Sequence, residues 1–239
     1  MNNIIVTVIS VVYNDRDKIE ATIQSIVNQD CEGIEYVIID GGSTDGTIDV
    51  IKKYNDKISF WISEPDKGIY DAMNKGAAYA NGKWILNVNA GDTLIDLPLN
   101  LLTSIDNEKF VAICGNVILD GKLLLKPKYN WTLNIKNTLP HQAMLYNREL
   151  MKIKYNLNYK VFADYAYNLG IYKQNQKVKI IDFTICNHST DGISNQRSTA
   201  NEFFQLVKTE AGFFYMCLSF MYFKVNGFNS RLKKIFNND

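Results

Sequence analysis

The sequence predicts an α/β fold, a mostly parallel mixed sheet flanked by helices, built as a single domain within a chain of 239 residues. Two observations carry this. The first half alternates β-branched runs with helical apolar stripes, the rhythm of βαβ units whose helices cover both sheet faces. No internal repeat, low-complexity stretch or Pro-, Gly- or Ser-rich linker interrupts the chain.

The elements follow in order. Ile4 to Val12 is a continuous β-branched run, as in a strand buried on both faces. A helical stripe of Ile19, Ile23, Ile26 and Val27 comes next. Tyr36 to Asp40 is a second buried strand, followed by a Gly-Gly-Ser-Thr-Asp-Gly-Thr turn and a helix facing inward through Ile48, Ile51 and Tyr54. Ile58 to Ile62 predicts a third strand, Gly68 to Ala80 a helix with Tyr70, Met73 and Ala77 on one face, and Trp84 to Val88 a fourth strand. Beyond these, Asp120-Gly121 between two apolar runs predicts a hairpin. Leu139 to Tyr146 reads as a strand and Ala163 to Lys173 as a helix. The expected division is a domain over 1–200, with halves 1–97 and 98–200, and a helical, aromatic and basic tail over 201–239.

Composition excludes several classes. With 26 Lys and Arg against 25 Asp and Glu the net charge is +1, so no global field draws the chain onto nucleic acid. The four cysteines form no CxxC pair and read as buried free thiols of a reducing compartment. The apolar N-terminal run lacks a basic flank and a cleavage site, so it reads as a strand and the protein as cytoplasmic.

In an open parallel sheet, ligands bind beyond the carboxyl ends of the strands. There the sequence places Tyr13-Asn14-Asp15, then Asp40-Gly41-Gly42-Ser43-Thr44-Asp45-Gly46, then Glu64-Pro65-Asp66-Lys67-Gly68, then Asn89-Ala90-Gly91-Asp92. Four polar loops in succession predict one shared cleft. Neither a phosphate-binding G-x-x-x-x-G-K-[ST] loop nor a dinucleotide G-x-G-x-x-G turn is present.

The segments Val8-Ile9-Ser10-Val11-Val12-Tyr13-Asn14, Tyr36 to Thr47 and Glu64 to Gly76, in this order and spacing, resemble the family 2 glycosyltransferases of GT-A fold. The resemblance is strong over residues 4 to about 97 and extends, more weakly, from His141 to about Leu169. It implies a nucleotide-sugar donor, a UDP-sugar, with Val12, Tyr13 and Asn14 at the base and Asp40 accepting the uracil imide proton. Lys67 lies near the base and diphosphate, and Asp71 and Asn74 face the donor. The family's Asp-x-Asp metal motif is replaced by Asn89-Ala90-Gly91-Asp92, which leaves Asp92 as the carboxylate for Mn²⁺ or Mg²⁺ and Asn89 and Ala90 beside the donor. His188 falls in the family's phosphate-covering loop and offers a nitrogen to the metal. His141 follows a loop leading to the cleft and is placed to touch acceptor or phosphate. Phe162-Ala163-Asp164-Tyr165 resembles the family's acidic motif at a helix start, with Asp164 as the catalytic base.

The implied activity is inverting transfer of a sugar to a hydroxyl of a saccharide or lipid-linked acceptor, in cell-envelope polysaccharide synthesis. Two rivals stand beside it. A sugar-phosphate nucleotidyltransferase needs a Gly-rich basic loop that Tyr13 to Asp17 do not supply, and a catalytically weak sugar-nucleotide-binding module would suit the missing acids at 89 and 91. The tail run Ala211 to Phe223 carries no charge and is too short to span a bilayer. With its flanking lysines, 203–234 fits a peripheral membrane contact on the inner face, a helix packed on the domain, or a homodimer interface alike.

Overall fold

The computed structural model describes residues 4–29, 32–106, 108–148, 154–189 and 197–236, with side chains described to 226. Strand β1 (Val6–Val12) is central to the first half. It pairs in parallel with β2 (Ile34–Asp40) on one side and β4 (Trp84–Asn87) on the other, and β2 pairs in parallel with β3 (Phe60–Ser63). The helices α1 (Arg16–Val27), α2 (Thr47–Lys53) and α3 (Ile69–Tyr79) make the crossovers between them. After β4 come β5 (Thr93–Leu94), α4 (Leu99–Ser104), β6 (Ala112–Leu119), β7 (Leu123–Leu125) and β8 (Met144–Asn147). Then follow α5 (Ala163–Lys173) and β9 (Val178–His188), and after it α6 (Ala200–Leu206) and α7 (Phe213–Phe236). The sheet order is β3-β2-β1-β4-β8-β6-β9-β5, with β7 hairpinned onto β6.

The twofold alternation of β1 divides the interior. Val6, Val8 and Val12 pack with Ile19, Ile23 and Ile26 of α1, Ile51 of α2 and Leu102 of α4. Ile9 and Val11 point the other way, to Met73 of α3, Leu169 of α5 and Phe203 and Leu206 of α6. Helices therefore cover both faces, and α6 belongs to the second core.

Several expectations need adjustment. Leu139 to Tyr146 is not one strand: Pro140 leads into a tight 3-10 turn, His141–Ala143, and only then does β8 begin. The third strand starts two residues later than predicted, because Ile58 is buried in the loop before it. Three elements escaped the sequence reading, α4, β5 and β9. Strand β9 is the consequential one. It runs parallel to β6 across a register shift around Asn116 and pairs antiparallel with β5 at Thr93 and Leu94. Cys114 and Cys186 are buried free thiols and Cys217 is half-buried; Cys31 lies outside the described residues.

Candidate active site

The loops beyond β1 and β2 are stitched together by their own polar side chains. Asn14 adopts a positive φ of 47°, which Asn tolerates. Its amide N–H donates to Ser43 Oγ at 2.7 Å, and its Oδ1 accepts from Thr44 N–H at 2.8 Å. Asp45 accepts from Arg16 N–H and from both the amide and hydroxyl of Thr47; the Thr47 hydroxyl leads in holding its carboxyl below the usual range. Asp40 is fully buried. One of its oxygens accepts from Gly42 N–H, Ser43 N–H and Ser63 Oγ, the other from Ser43 Oγ at 2.5 Å. Tyr13 stands clear of this network, the residue 64% exposed.

The β3–α3 loop packs over these glycines. Asp66 Oδ1 accepts from Gly68 N–H at 2.7 Å, and Asp71 in the first turn of α3 accepts from Lys67 N–H at 3.0 Å, so both carboxylates close the helix start. The Lys67 side chain is exposed at the cleft edge. Lys75 braces the loop through Glu64 at 2.7 Å and the Pro65 carbonyl, and its ammonium is raised chiefly by Glu64. Asn74 is engaged with the Tyr155 backbone, donating to its carbonyl and accepting its N–H.

Beyond β4 the chain turns sharply. Gly91 takes φ +95°, which answers why no acid stands there: an L side chain is strained in that conformation. Ala90 N–H bonds back to Val11, and Thr22, buried on the apolar face of α1, donates to the Asp92 carbonyl at 2.7 Å and accepts Gly91 N–H. That turn leaves Asp92 largely buried with Oδ1 2.7 Å from His188 Nδ1 and 3.1 Å from Ser189 N–H. Gln142 Nε2 lies 3.0 Å from the same ring nitrogen. Antiparallel pairing of β5 with β9 is what carries His188 to Asp92 across 96 residues. Residues 190–196, the rest of that expected loop, lie outside the described residues.

Asp164 stands at the second position of α5, where the helix dipole favours a carboxylate. Tyr70 places its hydroxyl 2.7 Å from Asp164 Oδ1 and 2.6 Å from the Val161 carbonyl, and Asn137 Nδ2 reaches Oδ2 at 3.3 Å. Burial first, and the Asp164 charge second, push the Tyr70 phenol well above its usual range, so it stays a donor. Glu202 of α6 accepts three backbone N–H groups, from Lys160, Val161 and Phe162, and so fixes the loop that launches α5. Tyr70, Thr22 and Glu202 were not singled out as site residues. The one available signal was a polar residue inside an apolar stripe, as Thr22 is.

His141 joins the two ends. It is buried, with neither ring nitrogen partnered among the described residues, and packs against Tyr146 and Tyr155. Burial pushes its pKa down, while the carboxylates of Asp164 and Asp92 pull it up and His188 pushes it further down. One neutral imidazole thus feels both acidic ends of the cleft.

The donor set suits a divalent cation that takes part of its shell from a ligand. No group of three or more His, Cys, Asp and Glu side chains converges among the described residues. Asp92 and His188 do converge, and Asn89 Oδ1 is a buried acceptor with no partner among the described residues. One carboxylate with phosphate oxygens meets the usual needs of Mg²⁺ or Mn²⁺.

Comparison with known proteins fits this arrangement. The curated relatives include a PGL/p-HBAD biosynthesis glycosyltransferase of Mycobacterium bovis, 31% identical over 164 residues, covering 62% of each chain. An uncharacterized glycosyltransferase of Mycobacterium tuberculosis is 28% identical over 210 residues, covering 83% of this chain and 80% of its own. Among solved structures, residues 1–349 of Staphylococcus aureus TarS in complex with UDP-GlcNAc superpose with TM-score 0.69 at 17% identity, over 86% of this chain and 66% of TarS 1–349. The mannosyltransferase PcManGT of Pyrobaculum calidifontis, in complex with GDP-Man and Mn²⁺, gives 0.61 at 16%, over 86% and 61%. These two likenesses establish the shared GT-A fold. The sequence model described as Glycosyl transferase family 2 matches residues 7–168, more than half of the chain, and the chain therefore belongs to the family 2 glycosyltransferases.

Proposed function

We propose that the chain transfers one sugar, with inversion, from a UDP-sugar to a hydroxyl of a saccharide or lipid-linked acceptor in cell-envelope polysaccharide synthesis. The observation that carries this is the pairing of Asp92 with His188 and of Asp164 with Tyr70, with the buried imidazole of His141 within electrostatic reach of both carboxylates. The loops beyond β1 to β3 bind the nucleotide, with Tyr13 and Lys67 turned outward to receive it. Asp92 and His188 would hold a divalent cation, which when bound would supply positive charge to offset that of the diphosphate. His141, neutral and buried, lies behind the reacting groups and feels the charge of both carboxylates. Asp164, fixed by Tyr70 and Asn137, takes the proton of the acceptor hydroxyl. Positioning and charge do the rest, with no covalent intermediate on the protein.

The acceptor reading is supported by a groove of about 490 Å³ lined by Lys126, Lys128, Trp131, Lys136, Asn137 and Tyr222. It reaches Asp164 through Asn137. Lysines and an exposed indole suit an anionic saccharide carrier. Exposed Phe213, Phe214, Phe220 and Met221 of α7 extend an apolar surface suited to the membrane headgroup region on the cytoplasmic side.

A panel of UDP- and GDP-sugars with Mn²⁺, followed for donor hydrolysis, tests the function without an acceptor. Turnover of a UDP-sugar is expected. In Asp164→Asn, transfer to an acceptor falls by about 10²- to 10⁴-fold. UDP affinity stays within about threefold, well under the tenfold of 1.4 kcal/mol. Metal-independent UDP binding with no turnover of any donor favours the binding module, a reading motivated by Asn89 and Gly91.

A further inference from the structure

Resting on the uridine-nucleotide reading above, we infer that Asp66, not Asp40, is the carboxylate that reads the base and selects uracil. Asp40 is fully buried, and Gly42, Ser43 and Ser63 already occupy both of its oxygens. Its work is to hold the loop beyond β2 in shape. The backbone that follows has an open place. A Cβ built on Gly41 would lie 2.5 Å from Asp66 Oδ2 and 3.2 Å from Tyr13 Cδ2. The carboxylate of Asp66 therefore fills the volume that a side chain of residue 41 would take, against the exposed Tyr13 ring.

The two Asp66 oxygens have different duties. Oδ1 accepts from Gly68 N–H at 2.7 Å, which fixes the side chain on the β3–α3 loop. No donor among the described residues reaches Oδ2, so one acceptor stands beside the aromatic platform. The loop that carries it is itself braced, by Glu64 N–H on the Asp40 carbonyl and by Lys75 on Glu64 and Pro65. A pre-fixed carboxylate next to a ring on which a base can lie is matched by an imide N–H. Uracil offers one at N3. Cytosine presents a bare ring nitrogen there, and two acceptors would face each other.

Gly41 also shows that the two positions are interchangeable in space. Its φ is not positive, unlike that of Gly42, so a side chain at 41 is blocked by Asp66 rather than by the backbone. The carboxylate has one place to stand and two chain positions from which to reach it.

The test measures affinities for UDP, CDP and GDP, with Mn²⁺ present, by titration calorimetry on the full chain and on three variants. The unsubstituted chain should prefer UDP by about tenfold or more, the scale of one hydrogen bond to a charged group. Asp66→Ala should bring the ratio near unity. Asp66→Asn should do so by gaining CDP affinity, since its amide donates to the cytosine ring nitrogen while its oxygen keeps the bond to Gly68. The double variant Gly41→Asp/Asp66→Gly should restore the UDP preference, a result that a merely structural Asp66 would not give. A ratio within twofold of the unsubstituted chain in both single variants, with unchanged melting curves, overturns the assignment while leaving the donor reading intact. An unsubstituted chain that prefers GDP, or binds no uridine nucleotide, overturns both.

Discussion

A histidine buried with neither ring nitrogen partnered among the described residues, as His141 is, folds uncharged, and its lowered pKa says the same. The unfolded chain takes up a proton near the ordinary value of 6.5, whereas the folded chain does so only at lower pH. Stability contributed at His141 is therefore complete above about pH 6.5 and declines as pH falls below it, by at most about 1.4 kcal/mol per pH unit for one proton. Urea denaturation between pH 7.5 and 5 should show this slope, and His141→Gln should flatten it. A slope unaffected by that substitution would place the proton uptake elsewhere. Tyr70→Phe makes a second residue-scale prediction. It removes the hydroxyl at Asp164 Oδ1 and should lower kcat about tenfold or more with donor KM little changed, measured by initial rates.

Residues of this kind were legible in unequal measure. Asp92 and Asp164 lie beside motifs that the sequence displays contiguously. The partners that make them useful, His188 for one and Tyr70 for the other, are 96 and 94 positions away and meet them only through the sheet and the α3–α5 packing. Asp40 illustrates the opposite difficulty. Its place after a strand is plain in the sequence, but the engagement of both of its oxygens by neighbouring N–H and hydroxyl groups is not.

At the scale of elements, the βαβ front was readable because β1, β2 and β4 are buried on both faces and the helices α1 and α3 each show an apolar stripe. Strand β9 was not. Its residues mix exposed and buried positions irregularly, since its partner β6 shifts register midway and its far end changes partner to β5. Helix α1 carries a role beyond its stripe. Thr22→Val keeps shape but leaves the Asp92 carbonyl and Gly91 N–H without the hydroxyl, a cost of about 1–3 kcal/mol. It should lower the melting temperature and weaken metal-dependent UDP binding together. Helix α6 holds the base loop in the same indirect way. Glu202→Ala should cut transfer by about tenfold or more while sparing UDP affinity, because the three N–H groups it collects belong to the loop before Asp164.

For the whole molecule, one continuous sheet separates two apolar cores, and Asp164, on α5 between β8 and β9 in the chain, meets Tyr70 of α3 from the first half. The tail helix is partly integrated. Ser219 donates to the Ile135 carbonyl, Phe223 packs on Phe203, and Lys136 sits over the Tyr222 ring. Its other side leaves several large apolar side chains exposed, although no helix among the described residues is long and apolar enough to cross a membrane. Cosedimentation with vesicles containing anionic lipid should therefore retain the chain, and Phe214→Ser/Phe220→Ser should reduce retention severalfold without altering donor hydrolysis. Retention unchanged by both substitutions would remove α7 from the contact.

The late arrival of β9 bears on biosynthesis. A ribosome that has emitted β1 to β4 has already released every loop assigned here to the nucleotide, yet the imidazole that meets Asp92 is still unmade. Glu202, which secures the loop before Asp164, emerges later again. A polypeptide that stops before β9 therefore has Asp92 without its imidazole, and the Ile9 and Val11 face of β1 without Phe203 and Leu206 of α6.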